Sequence, residues 1–274
     1  MANEFIFDAP ASRRFVEARQ TVLRPVLQSI REKWKMQSAA DVGCGVGYFS
    51  GFLKEQGFDV VGFDGRLENV QEAKRRYPSI EFHLASVEDP AIVQQGSFDL
   101  VLCVGLLYHL ESPLRALRNL AAMANQLLLI ESYAAPQKET AFYLREEPHL
   151  EDQSLTTLAL YPSESSLIKI CYKVGFSSVY RFVPLPDHED FRDRASRKRQ
   201  RTMLLAAKAP VPFLGMPLVP EPQDFSDPWQ TAVGRFLGLR GRFKRLLGAS
   251  RDDVKSQTEG QEENLTFVRN PLAT

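Results

Sequence analysis

Two spacings of apolar residues alternate along the first three quarters of this chain. Short apolar runs recur at 38–43, 59–64, 81–86, 98–105 and 126–132, bounded by charges or turn residues. Between them, apolar positions at helical spacing mark 48–56, 67–77 and 113–124. Near-continuous apolar runs are the pattern of strands buried on both faces. Strands alternating with helices predict a parallel sheet and a doubly wound α/β fold. Upstream, 12–36 reads as an amphipathic helix, with Phe15, Val22, Val26 and Ile30 on one stripe, arginines opposite and Ser12 as the cap. Downstream, Ser163–Ser166 opens a helix that runs to about Val174 and ends at Gly175-Phe176. Strands at 178–185 and 201–208 follow. The last is expected to lie antiparallel to 179–183 and to complete seven strands over 38–208.

Three segments stand outside this alternation. Residues 133–162 are polar, with Pro136, Pro148 and Pro162, and are expected to form a substrate-side insertion, since loops on a rigid scaffold carry function. Their Glu146, Glu147, His149, Glu151 and Asp152 read equally as substrate-facing groups or as a solvated loop. Ala209–Pro222 holds five prolines and reads as an extended linker. Trp229–Gly248 carries Arg235, Arg240, Arg242, Lys244 and Arg245 with no acid, and Trp229, Val233, Phe236, Leu239 and Phe243 at helical spacing. Such a helix either binds an anionic membrane interface or packs on the preceding domain, and Gly234, Gly238, Gly241 and Gly248 weaken it. The expected organisation is a helical cap over 1–37, a ligand-binding domain over 38–208, and an extension over 209–274 ending in a polar tail.

Composition narrows the function classes. With 274 residues, 44% hydrophobic and 25% charged, the chain is of the globular class. Its net charge of zero gives no global footprint for nucleic acid. No apolar run is long enough to cross a bilayer, and Met1–Pro10 lacks signal-peptide character. Cys44, Cys103 and Cys171 are odd in number and lack metal-ligand spacing, so reduced thiols, no metal and a cytoplasmic setting are expected.

The chemistry concentrates in Asp41-Val42-Gly43-Cys44-Gly45-Val46-Gly47-Tyr48, a glycine turn between a strand and a helix. Glycines lack Cβ, which lets a ligand approach the backbone closely. The dinucleotide fingerprint needs a glycine where Tyr48 stands, which argues against a dinucleotide-dependent oxidoreductase. Asp64 ends the second strand roughly 20 residues on, the offset at which a carboxylate meets ribose hydroxyls. A further landmark is Ser97-Phe98-Asp99-Leu100-Val101-Leu102-Cys103-Val104-Gly105-Leu106-Leu107-Tyr108-His109-Leu110, followed by Ser112-Pro113-Leu114.

The alternating glycines, Asp64 and the strand ending in Tyr108-His109-Leu110 together resemble class I S-adenosyl-L-methionine-dependent methyltransferases over residues 38–132. The resemblance implies a Rossmann-like seven-stranded sheet with helices on both faces and adenosylmethionine as cofactor. Asp41 would face the cationic half of that cofactor, the amides of Gly43, Cys44, Gly45 and Gly47 its carboxylate, and Asp64 both hydroxyls of its ribose. Ser86 and Val87 would meet the adenine, where many relatives carry aspartate; Glu88 stands nearby as a substitute. Cys103, at a strand's carboxyl end, completes the expected cofactor set. His109 is the expected general base for a hydroxyl acceptor, Tyr108 shapes the transfer site, and Glu131 is a second base, or else the partner of an arginine.

A narrower set of residues, Tyr108, His109, Tyr161-Pro162-Ser163 and Arg201, resembles the bacterial enzymes that carboxymethylate the wobble uridine of tRNA. Those use a carboxylated adenosylmethionine, whose extra carboxylate Tyr108 and Arg201 would bind. They also use a lysine before the glycine turn, near which Lys33 and Lys35 stand here, and they carry a longer N-terminal region. Arg192, Arg194, Arg197, Lys198 and Arg199 offer phosphate contacts, or a solvated face. The expected activity is methyl transfer, at oxygen, to a small-molecule, glycan or lipid-linked acceptor, with peripheral membrane contact through 229–248. The alternatives are tRNA modification and a non-catalytic binding subunit on the same fold.

Overall fold

The computed structural model describes residues 5–136, 139–147, 154–191, 200–212 and 215–223. The chain divides into two compact units, Met1–Gln223 and Asp224–Thr274. The second unit, and with it the expected helix over 229–248 and the tail, lies outside the described residues, as do His149, Glu151, Asp152 and the basic cluster at 192–199.

Seven strands form one sheet: β1 (Ser38–Val42), β2 (Asp59–Asp64), β3 (Glu81–Leu84), β4 (Phe98–Val104), β5 (Ala124–Ala134), then β8 (Ser178–Arg181) and β9 (Gln200–Ala207). The order across the sheet is β3-β2-β1-β4-β5-β9-β8. The first five are parallel, and β9 runs antiparallel between β5 and β8. The helices are α1 (Pro10–Trp34), α2 (Tyr48–Glu55), α3 (Leu67–Arg76), α4 (Pro113–Met123) and α5 (Glu164–Lys173). Each parallel strand hands over to a crossover, so the sheet is covered on both faces.

Strand parity assigns the two cores. Ala39, Leu100, Leu102, Leu127, Leu129, Met203 and Leu205 face the layer of α1, α2 and α3. Ala40, Val42, Val101, Cys103, Leu128, Ile130, Leu204 and Ala206 face the layer of α4 and α5. Alternate residues of a strand point to opposite faces, so a one-position change moves a side chain from one core to the other.

Two expected elements differ. Helix α1 starts earlier than its stripe suggested: Pro10 occupies the first turn after Ala9, where a missing N–H costs nothing. Ser12 is no cap; its hydroxyl donates to the Ile6 carbonyl at 2.8 Å. The buried face of α1 is Val16, Arg19, Leu23, Leu27 and Ile30, while Phe15, Val22 and Val26 flank it, half-buried. Residues 133–162 are not irregular throughout. They carry an antiparallel hairpin, β6 (Phe142–Glu146) and β7 (Leu158–Pro162), with Phe142 opposite Pro162. The Leu160 N–H donates to the Leu110 carbonyl at 2.9 Å, which docks the hairpin on the segment after β4. Among the described residues, no helix is long and apolar enough to cross a membrane.

Candidate cofactor and transfer site

A cavity of about 320 Å³ opens at the carboxyl ends of β1, β2 and β4. Its walls come from the glycine turn, α1, the turn after β4 and the hairpin, and the segment before α1 covers it. The size falls within the roughly 300–1,000 Å³ of small-molecule sites.

The cofactor side is built by backbone. Gly43 and Gly45 take left-handed conformations, with φ of 78° and 53°. The Gly43 and Cys44 amides donate to the Phe63 carbonyl at 2.8 and 3.0 Å, tying the turn to the end of β2. At this φ a side chain is strained, and a Cβ on Gly45 would stand 3.1 Å from the Phe7 ring, tighter than an ordinary contact. The Gly45 amide donates to Asp64 Oδ2 at 2.8 Å. Asp64 Oδ1 accepts from the Arg66 amide at 2.9 Å and from Asn69 Nδ2 at 3.1 Å. Burial raises the Asp64 carboxyl, against these three donors. A carboxylate offers about four acceptor sites, so Asp64 keeps one for a ligand rather than the two expected for a ribose diol. Adenosylmethionine is compatible with this donor set: a glycine cradle that a Cβ would fill, and a carboxylate with an unused lone pair on the wall.

The opposite wall is built by long side chains. Glu131, fully buried on β5, accepts from Arg19 at 3.0 Å and from Arg201 at 2.7 Å. Burial alone would raise its carboxyl; the two guanidiniums outweigh that and hold it below the glutamate range. Arg201 also donates to the Tyr108 hydroxyl at 3.1 Å and stacks 3.7 Å over the Tyr133 ring. Asp190 Oδ2 lies 3.4 Å from Arg201 Nε, which makes no hydrogen bond among the described residues. Burial pushes the Tyr108 phenol up to about 12, so it stays protonated. Tyr108 packs with Tyr133 and Tyr161, whose two rings stack at 8°.

His109 lines the cavity beside Tyr108, ring centroids 4.1 Å apart. Its Nδ1 lies 2.5 Å from Glu147 Oε1, at the end of β6, with the Glu147 side chain only 3% exposed. Of the loop carboxylates weighed from sequence, two lie among the described residues: Glu147 is on the cavity wall, whereas Glu146 is exposed.

Of the expected site residues, Gly43, Cys44, Gly45, Asp64, Tyr108 and His109 line the cavity. Six do not. Asp41 is buried behind the turn, accepting from Ser50 Oγ of α2 at 2.6 Å, and burial raises its carboxyl to about 7. Gly47 begins α2, turned toward Tyr77. Cys103 points the other way by strand parity, into the α4–α5 core. Ser86 accepts from the Glu88 amide at 3.3 Å, and Val87 is buried with its carbonyl taken by Asn119. Glu88 receives the Ser112 amide before α4. Glu131 is fully buried outside the cavity lining, its carboxylate held between Arg19 and Arg201, which is the arginine-partner alternative. Lys33 and Lys35 are exposed at the far end of α1; the cation which that helix brings to the cavity is Arg19. Arg19 and Glu147 were missed in these roles. The available signal for Arg19 was a charge at helical spacing on an apolar stripe, four residues from Phe15 and three from Val22.

Comparison with known proteins agrees with this fold. Residues 15–180, more than half of the chain, match the family model described as methyltransferase domain. A tRNA U34 carboxymethyltransferase of Helicobacter pylori (strain Shi470) is 27% identical over 227 residues, covering 77% of each chain. One of Campylobacter jejuni (strain 81116) is 28% identical over 165 residues, 57% of this chain and 53% of that protein, so the chain spans about half of that relative's length. Among solved structures, the N-terminal domain of EvdMO1 with SAH bound superposes with a TM-score of 0.55 at 21% identity, covering 67% of this chain and 80% of that one. Magnesium protoporphyrin IX methyltransferase from Synechocystis PCC 6803, with bound SAM, gives 0.51 at 19% identity, covering 73% and 85%. With its glycine turn, its sheet order and a family match over most of both, the chain belongs to the adenosylmethionine-dependent methyltransferases.

Proposed function

We propose that this protein transfers a methyl group to a hydroxyl of a small-molecule, glycan or lipid-linked acceptor, with His109 as general base. The observation that carries the reading is His109 on the cavity wall with Nδ1 held by a buried carboxylate. A histidine so held keeps its second nitrogen for proton transfer.

Asp64 would hold one ribose hydroxyl, and the Gly43–Gly45 turn would cradle the backbone-sized end of the cofactor. Adenosylmethionine supplies, when bound, a methyl group on a cationic sulfur that needs no further activation. The chain's task is then positioning and dryness. Phe7 and Phe15 exclude water from one side, and the Tyr108–Tyr133–Tyr161 cluster from the other. As the acceptor oxygen attacks, its proton passes to His109 Nε2.

One observation favours a second reading, tRNA wobble-uridine modification with a carboxylated cofactor. Arg19 and Arg201 place two guanidiniums on the cavity wall, with the Tyr108 hydroxyl bonded to Arg201 beside them, and the relatives named above are tRNA carboxymethyltransferases. Calorimetric titration with adenosylmethionine, adenosylhomocysteine, the carboxylated cofactor and NAD separates the readings. Micromolar binding of the first two without preference for the carboxylated form supports the acceptor-hydroxyl reading. A strong preference for the carboxylated form moves tRNA to the front. Asp64→Ala should weaken adenosylhomocysteine at least about tenfold, since one charge-assisted bond of roughly 1.5–3 kcal/mol is lost. Unchanged affinity would remove Asp64 from the site.

A further inference from the structure

We infer that Glu147 is a positioning residue: it fixes His109 as the tautomer with its lone pair on Nε2, and the Arg66–Ser154 contact fastens it to the cofactor-side turn. This rests on the reading of His109 as base and adds the group that makes it one.

The argument starts from donor and acceptor capacity. An ionised carboxylate only accepts hydrogen bonds, and a neutral imidazole carries one N–H and one lone pair. At 2.5 Å from Glu147 Oε1, the proton of a neutral His109 belongs on Nδ1. Nε2 then bears the lone pair, as general base catalysis requires. The same logic underlies every histidine base oriented by an acid on its far side.

Glu147 is itself held. Its Oε2 accepts from the Ser154 amide at 3.2 Å, and the Ser154 carbonyl accepts from Arg66 Nη2 at 2.7 Å. The Arg66 amide donates to Asp64 Oδ1. A short series of hydrogen bonds thus runs from the cofactor-side carboxylate, through one arginine and one serine backbone, to the imidazole. Arg66, Asp64, Glu147 and His109 all line the same cavity. The hairpin strand that ends at Glu146 serves as the rigid mount for the acid, as precise sites require.

The test is nitrogen NMR of the full chain labelled with 15N-histidine, above the histidine titration range, with His109→Asn identifying its signals among the four histidines. Wild-type His109 is expected as the Nδ1–H tautomer. Glu147→Gln exchanges a charge-assisted bond for a neutral one whose amide can also donate to Nδ1. The Nδ1–H to Nε2–H ratio should therefore fall about tenfold. Glu147→Asp should restore part of it, and Arg66→Gln should lower it by a smaller factor, about threefold. An Nε2–H tautomer in the wild type overturns the inference even if the variants do not fold. So does a folded Glu147→Gln with an unmoved ratio, which is what a merely structural hairpin anchor predicts. An unmoved ratio in Arg66→Gln overturns the fastening role. The readout needs no acceptor, so a chain that shows this tautomer yet methylates no hydroxyl would sink the proposed function separately.

Discussion

The two walls of the cavity are assembled by different means. On the cofactor wall, Gly43, Gly45 and Asp64 lie within about twenty residues, at the carboxyl ends of adjacent parallel strands, and are joined by backbone amides. On the transfer wall, Arg19 and Glu131 stand 112 residues apart in sequence, Glu131 and Arg201 70 apart, and all three meet through side chains. A wall made of backbone tolerates variation in side chains but not in glycines. A wall made of buried charges depends on every member, because removing one leaves the others uncompensated.

The sharpest way to break this comparison is Glu131→Ala. It leaves Arg19 and Arg201 facing each other in a buried space, and breaking a buried pair in this way costs about 3–5 kcal/mol. Urea denaturation should show a loss of that order, with little change in the slope against denaturant. A loss under about 1 kcal/mol would mean that the two guanidiniums find water or another acid, and the transfer wall would then be no more fragile than the other.

Asp41 sharpens the cofactor side. Its folded carboxyl is raised to about 7 by burial, opposed by Ser50 and reinforced by Asp64. The native state therefore binds a proton between about pH 4 and 7 that the unfolded chain releases. The contribution is fully present at low pH and is lost as pH rises through 7. Asp41→Asn keeps an acceptor for Ser50 Oγ and removes the titration. Relative to wild type, the variant should gain stability as pH climbs from 4 to 7, with roughly 4 kcal/mol as the ceiling. Parallel stability curves for the two proteins across that range would show that Asp41 is charged throughout.

The contrast also explains what could be seen from the sequence. Glycine spacing, the acid at the end of β2 and the strand–helix alternation are local features, and they point to the parallel strands, the doubly wound fold and part of the cofactor wall. Cys103 was misplaced because being at a strand's end says nothing of parity; Val104, one residue on, faces the cavity. Ser86 and Val87 were placed by a family position that departs from aspartate here. Glu131 was named with the right alternative, a partner for arginine, but the second arginine lies 112 residues upstream on α1. The hairpin escaped notice because its strands are five residues long and flanked by polar, proline-bearing segments. Without that hairpin, Glu147 had no reason to be singled out from its acidic neighbours.

The smallest effect concerns the cover that both walls share. Phe7 closes on Gly45, and the next residue, Asp8, is gripped by Arg76 at 2.6 and 2.8 Å and by the Tyr48 hydroxyl at 2.5 Å. Arg76 and Tyr48 belong to α3 and α2, so the segment before α1 is fastened across the cofactor side only. The Arg76 hydrogen bonds hold the Asp8 carboxyl far below the usual range, against a smaller burial effect. The grip is therefore complete above the unfolded carboxylate range and weakens only as pH falls well below it. Asp8→Asn retains the shape but exchanges a charged, two-bond contact for a neutral one. A pair that is partly exposed is worth little to global stability, about 1 kcal/mol or less. Its effect should appear in cofactor release: stopped-flow dissociation of adenosylhomocysteine should quicken several-fold, with the melting temperature nearly unchanged. Dissociation at the wild-type rate would mean that Phe7 covers the pocket without gating it, and that the cofactor leaves from the transfer side.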